Sequence, residues 1–194
     1  MMIELLHIAV VVVMSGSMTA RQLQEMKRET SQIWRPYGVA LFWCDQTPAE
    51  CRPESVKIDP ILLVRSDDRR AARRGRDERS LGAIQFTDGT PGPNISLAID
   101  SIVGMVLDSS VANDPVATWP AAMRDRVIGR AIGRVLAHEI GHFLLGLPTH
   151  TTTGMMRAWF TARDLTSPGH QQWTIGKPFV ARLQARLAML RSDH

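Results

Sequence analysis

Cysteine is scarce in this chain: Cys44 and Cys51 are the only two in 194 residues. Their spacing fits no CxxC redox or zinc pair, and no second cluster exists to complete a cysteine-rich metal site. They suit a small disulfide loop around Asp45–Glu50 or a pair of reduced thiols, so they leave the compartment open. Long hydrophobic runs are also missing. The longest, Ile8–Met14, is far shorter than the roughly 20 residues of a membrane span, which excludes a transmembrane segment there. It resembles a secretory h-region, but no Lys or Arg precedes Arg21, and Glu4 and His7 stand where a positive n-region belongs. The β-branched Val10–Val13 followed by Ser-Gly-Ser reads better as a buried strand.

Composition is that of an ordinary globular chain, with 44% hydrophobic and 22% charged residues, which excludes a fibrous or wholly disordered protein. The length suits one compact domain over residues 1–194. A net charge of +4 permits nucleic acid or acidic surfaces as partners, but a modest positive charge is commonplace in soluble proteins. Much of the Arg lies in Arg65–Arg79, interleaved with Asp67, Asp68, Asp77 and Glu78. Those acids weaken attraction to phosphate, so residues 65–80 read as a charged loop excursion and nucleic acid is not the expected partner.

The pattern along the chain predicts a strand at Ile8–Met14 and a helix over Ala20–Trp34 capped by Ser17 or Thr19 and ended by Pro36 and Gly38. Strands follow at Val39–Cys44, Val56–Val64 and Leu81–Phe86, then a Gly/Pro turn over Thr87–Pro93 and a strand at Ile95–Ile99. Asp100 can cap a brief helix through Leu107, and Ser109–Thr118 reads as a polar loop. No internal repeat is visible. The order makes an α+β fold, a mixed sheet with helices packed on it.

From about Pro120, Met123, Val127, Ile128, Ala131, Ile132, Val135 and Leu136 recur at helical steps, with Arg124, Arg126, Arg130 and Arg134 marking the wetter side. This helix runs into His138-Glu139-Ile140-Gly141-His142. Residues four apart share a helix face, so two imidazoles can offer ring nitrogens to one zinc ion at about 2.0–2.1 Å. Glu139 projects at a different angle and can reach a zinc-bound water without being a ligand. A third protein ligand is needed, and His150 is the obvious one: Gly146 can stop the helix, Pro148 prevents its continuation, and the span from Gly146 can reach about 13–14 Å. Asp164 is the alternative third ligand. His7, His170 and His194 read as exposed or packed residues, and Trp159 and Trp173 as packing.

This segment resembles the metzincin superfamily of zinc peptidases, which show HExxHxxGxxH followed by a methionine-containing turn. Here the pattern is HExxHxxxGxxxH, with Gly146 one position and His150 two positions later than in the family. Gly154-Met155-Met156 could supply the Met-turn, Met156 being preferred and Met155 the alternative. Met156-Arg157-Ala158-Trp159 also fits a GxMRAxW string of some bacterial metzincin-like proteins. No tyrosine follows the methionine, since Tyr37 is the only one, so the tyrosine found near the metal in some metzincins is absent.

The resemblance implies a metzincin-like single domain: a twisted mixed sheet, a long helix behind it, the active-site helix, the Met-turn and a C-terminal helix at Lys177–Leu190. It implies Zn2+ as cofactor, a polypeptide substrate bound in extended form against an edge strand, here Ile95–Ile99, and export. The function expected is a zinc-dependent metalloendopeptidase that hydrolyses peptide bonds with a zinc-activated water and Glu139 as general base, Arg157 assisting. The rivals are a zinc-dependent nuclease or other non-peptide hydrolase, and a catalytically silent zinc-binding protein. A Glu directly after the first His argues against both.

Overall fold

The computed structural model describes residues 6–13, 18–44, 61–66 and 80–192. The apolar N-terminal run is strand β1 (Leu6–Val13), an interior strand of a five-stranded sheet ordered β2-β1-β3-β5-β4. β2 (Val39–Cys44) and β3 (Ile61–Ser66) lie parallel on either side of it. Burial on both faces explains the unbroken hydrophobic run, since alternation is expected only where one face meets water. Ile8 and Val10 face the main core, while Ala9 and Val11 pack with Phe42, Cys44 and Leu63 on the other face.

Between β1 and β2 the chain forms α1 (Ala20–Trp34), capped by Thr19 through a capping box with Gln22. A short 3-10 turn at Arg35–Tyr37 and left-handed Gly38 end it. Cys44 is disulfide-bonded, and the other cysteine, Cys51, lies outside the described residues. So do residues 56–60 of the expected third strand, which here begins at Ile61 and runs through Arg65 and Ser66; the rest of the charged excursion, 67–79, lies outside as well.

The expected Thr87–Pro93 turn is much shorter than the sequence suggests. β4 (Gly82–Thr87) and β5 (Thr90–Leu97) form a hairpin closed by Asp88 and Gly89 alone, both at positive φ, as a tight two-residue hairpin requires. Pro91 and Pro93 are tolerated inside β5 because its pairing with β3 begins only at Asn94. A register shift between Ile84 and Phe86 loosens the β4 side. β4 is therefore the edge strand, and Ile95, expected at an edge, is in the interior at 1% exposure. Ile99 opens helix α2 (Ile99–Leu107) instead of closing the strand, and Asp100 sits in its first turn, the cap position being Ala98. The expected polar loop contains the small hairpin β6 (Ser110–Val111) and β7 (Asp114–Pro115), followed by a 3-10 turn at Val116–Thr118.

The long helix α3 (Ala121–Leu145) lies against α1 and the sheet, with β4 and β5 alongside. Thr30 donates to the Gly133 carbonyl at 3.0 Å and Trp34 to that of Ala137 at 3.2 Å, which pins the two helices in register. Arg134, expected on the wet side, is fully buried. Its Nε meets the Glu29 carboxylate at 2.7 Å, and its other nitrogens donate to the carbonyls of Asp164, Leu165 and Gly169. A buried guanidinium is tolerated because its donors are met this way. Helices α4 (Ala162–Thr166) and α5 (Lys177–Ser192) complete the chain, with Leu183 and Leu187 of α5 buried in the core. No helix of the described chain is long and apolar enough to cross a membrane.

Candidate metal centre

The site is assembled by the end of α3. Gly146 takes the left-handed conformation at φ 62°, which ends the helix at the cost a side chain would raise. Leu147 turns back so that its amide donates to the His142 carbonyl at 3.3 Å. The same residue's carbonyl then accepts from His142 Nδ1 at 2.7 Å, so the turn that stops the helix also orients the ring. Three residues on, His150 places its Nε2 3.2 Å from that of His142.

Further along, Gly154, at φ 76°, lets the chain fold back under α3. The Thr151 amide closes this loop on the Met156 carbonyl at 2.8 Å, and the Met155 amide is tied to Thr174 at 2.9 Å. Met155 turns its carbonyl to His138 Nδ1 at 2.8 Å. Met156 packs its sulfur against Gly141, where a Cβ would overlap it. The glycine inside the HEIGH segment is thus the seat of a buried methionine. Both methionines are buried.

His138, His142 and His150 are the group among the described residues able to hold a metal ion, their ligand atoms lying within 4.8 Å of one another. The rings of His138 and His150 are parallel, and His142 stands perpendicular to both. Burial, then the neighbouring His142, pushes the His138 imidazole down to about 3; burial also lowers His142, and partial desolvation lowers His150, which is otherwise exposed on its loop. All three rings are neutral near pH 7. A neutral ring that donates Nδ1–H to a carbonyl has a bare lone pair on Nε2. Yet the Nε2 atoms of His138 and His142 face each other at 3.0 Å. Two lone pairs at that distance cannot bond to one another, whereas a cation between them satisfies both. Nitrogens at 2.0–2.1 Å around a tetrahedral zinc are separated by about 3.3 Å, close to the spacings here. The donor set fits zinc.

Glu139 is 5% exposed and shares a cavity of about 730 Å³ with the three histidines. A Cβ on Gly82, at the start of β4, would lie 2.7 Å from its Oε1, so this strand approaches the carboxylate as closely as glycine permits. Phe86, lower on β4, stands edge-on to His142. Phe160 stands edge-on to His138 and is stacked on buried Trp173, as Arg134 is. Trp159, expected in packing, is 55% exposed and lines the cavity.

Other expectations are redirected. Asp164 completes the capping box of α4 with the N-cap Thr161 and pairs with Arg157 at 2.9 Å, so neither is at the cluster: Asp164 is no third ligand, and Arg157 is not among the cavity-lining residues. His7 packs edge-on to Phe42, His170 reaches Glu29 at 3.1 Å, and His194 lies outside the described residues. Sequence reasoning did not find Gly82, Phe160 or the carbonyls of Leu147 and Met155. A glycine opening a strand is a weak signal, and a backbone acceptor carries no residue-type signal at all.

No family model matches the chain, and no curated protein matches it. Among solved structures it is similar to archaemetzincin from Methanopyrus kandleri, with a TM-score of 0.54 at 14% identity, covering 94% of this chain and 96% of that one. At that identity the likeness speaks for the fold: this chain is a mixed α/β domain with a five-stranded sheet in the archaemetzincin arrangement, the metzincin-like fold that its HExxH segment resembles.

Proposed function

We propose that this protein is a zinc-dependent metalloendopeptidase. The observation that carries the reading is the convergence of three neutral imidazoles on one point beside a buried carboxylate. His138, His142 and His150 would hold the zinc, with Met155 and Leu147 fixing two of the rings through their carbonyls. Zinc, when bound, supplies Lewis acidity and lowers the pKa of water toward 7. Glu139 is placed to take a proton from the attacking water on its carboxylate and to deliver it to the leaving amine. Met156, seated under Gly141, fills the role of the Met-turn residue.

The edge of β4 supports a polypeptide substrate. No described strand pairs with its outer side, and Gly82, Ala83, Ile84 and Phe86 line the cavity. An extended peptide running antiparallel to it would add a strand and bring its backbone past Glu139. Among the described residues the cavity lining contains no Lys or Arg, which disfavours a phosphodiester. The disulfide at Cys44 supports an oxidising compartment and so export.

Zinc content per chain, followed by digestion of casein and of RNA, tests the reading. One zinc with casein cleaved and RNA intact is expected. A chain that takes up no zinc sinks it, and cleavage of RNA alone transfers the site to a nuclease.

A further inference from the structure

A second cavity, of about 350 Å³, lies between the β4–β5 hairpin tip, the end of α3 and helix α5. Its wall includes Gly89, Thr90, Gly146, Met189 and two arginines, Arg182 and Arg186, one helical turn apart on α5. Among the described residues it has no carboxylate in its lining. Neither arginine makes an ion pair among the described residues. Arg182 uses its Nε on the Leu145 carbonyl at 2.8 Å, a helix C-terminal cap that leaves its outer nitrogens available. Arg186 has no such explanation. Its Nε is buried without an acceptor, beside Gly146, and an unmade bond at a buried charged donor is costly. Two like charges one turn apart also repel each other, which an anion between them relieves.

The cavity stands at one end of the cleft. Gly146 is one turn beyond His142, and Gly89 and Thr90 lie at the tip of the hairpin whose Phe86 lines the cleft. β4 runs from Gly82, at Glu139, to this tip. A substrate antiparallel to β4 therefore has its N-terminal portion here. We propose that Arg182 and Arg186 bind a carboxylate carried by the polypeptide substrate N-terminal to the cleaved bond. The inference rests on the peptidase reading and adds the substrate class. At about 3.3 Å per residue, the tip is roughly three to five residues upstream of the reacting carbonyl. Guanidinium suits this ligand because its planar fork matches a carboxylate.

The test uses labelled peptides identical except for Glu or Gln at those upstream positions. Their binding to the zinc-loaded Glu139→Gln protein is read by fluorescence anisotropy, so no turnover is needed. The Glu peptide is expected to bind about tenfold tighter, the equivalent of one charge-assisted hydrogen bond. Arg186→Gln should erase most of the difference, and Arg186→Glu should turn the preference toward a Lys peptide. Since both variants leave the Leu145 cap in place, folding is preserved, which circular dichroism checks. Equal binding of the Glu and Gln peptides, or a Glu preference that survives Arg186→Glu, overturns the proposal. Acid-selective binding by a wild-type protein that cleaves no peptide keeps the arginine site and removes the peptidase reading. Cleavage without acid preference does the reverse.

Discussion

Helix α3 and the loop that leaves it contribute to the same cluster under different constraints. His138 and His142 stand on buried helical turns, and each has its outer nitrogen held by a backbone carbonyl. His150 stands on the exposed loop beyond Gly146, and its Nδ1 makes no hydrogen bond among the described residues. The helix half of the site is thus set by folding itself, while the loop half is completed by whatever binds. Pre-organisation of this kind places two rings and Glu139 before any ion arrives.

The largest effect should come from the helix side and touch chemistry alone. Glu139→Gln keeps shape and size but removes the proton acceptor, so peptide cleavage should fall by about 10²–10⁴-fold. Zinc content should stay as in the wild type, because Glu139 is not among the cluster's ligands. Parallel measurement of both quantities separates base from ligand, and a Gln variant that cleaves normally removes Glu139 from its role.

Acid should expose the same contrast in the metal-free chain. The folded-state pKa of His138 lies at about 3, below its ordinary 6.5, because burial disfavours the cation. Above 6.5 the ring is neutral both folded and unfolded, and stability is at its full value. As the pH falls from 6.5 toward 3, the unfolded chain takes up protons that the folded ring refuses, so stability is lost over that window. The slope approaches ~1.4 kcal/mol per pH unit for His138. Urea melts at pH 7 and pH 5 with chelator present measure it, and a pH-independent midpoint would contradict the burial of these rings as neutral groups.

Gly141→Ala should follow, at about 1–3 kcal/mol of lost stability, since the new methyl group overlaps the Met156 sulfur. Met156→Leu, which keeps the volume, should cost less. Thermal melts of the two variants compare them, and an unaffected Gly141→Ala protein would show that Met156 is not wedged against the helix.

The helix half was also the legible half. Ala20–Trp34 is read to the residue because its stripe and its Thr19 cap are local signals, and α3 and its Gly146 stop follow for the same reason. The edge of the sheet was not legible. Pro91 and Pro93 signal a turn locally, and only the position of β3, which pairs with β5 from Asn94 onward, makes room for them in a strand. Arg134 reads as a surface residue because its partner Glu29 is 105 positions away. The local pattern therefore points to Ile95–Ile99 as the substrate edge, one strand inward of β4, where the edge is. His150 could be found despite its shifted spacing, because a loop after a glycine stop needs reach and not a fixed period.

The smallest effect on folding belongs to His150. Truncating it to Ala removes a ring that is exposed, stands on a loop and makes no hydrogen bond beyond the cluster. The metal-free chain should therefore keep its stability within about 0.5 kcal/mol. Zinc retention should nevertheless fall, since two of the three ring nitrogens remain. His142→Ala, by contrast, should lose both zinc and stability, as it leaves the Leu147 carbonyl without its donor at the helix stop. Melts with chelator and zinc titrations on the two variants separate the halves of the site. If His150→Ala destabilises the metal-free fold as much as His142→Ala does, the loop is as tightly constrained as the helix and the contrast between them dissolves.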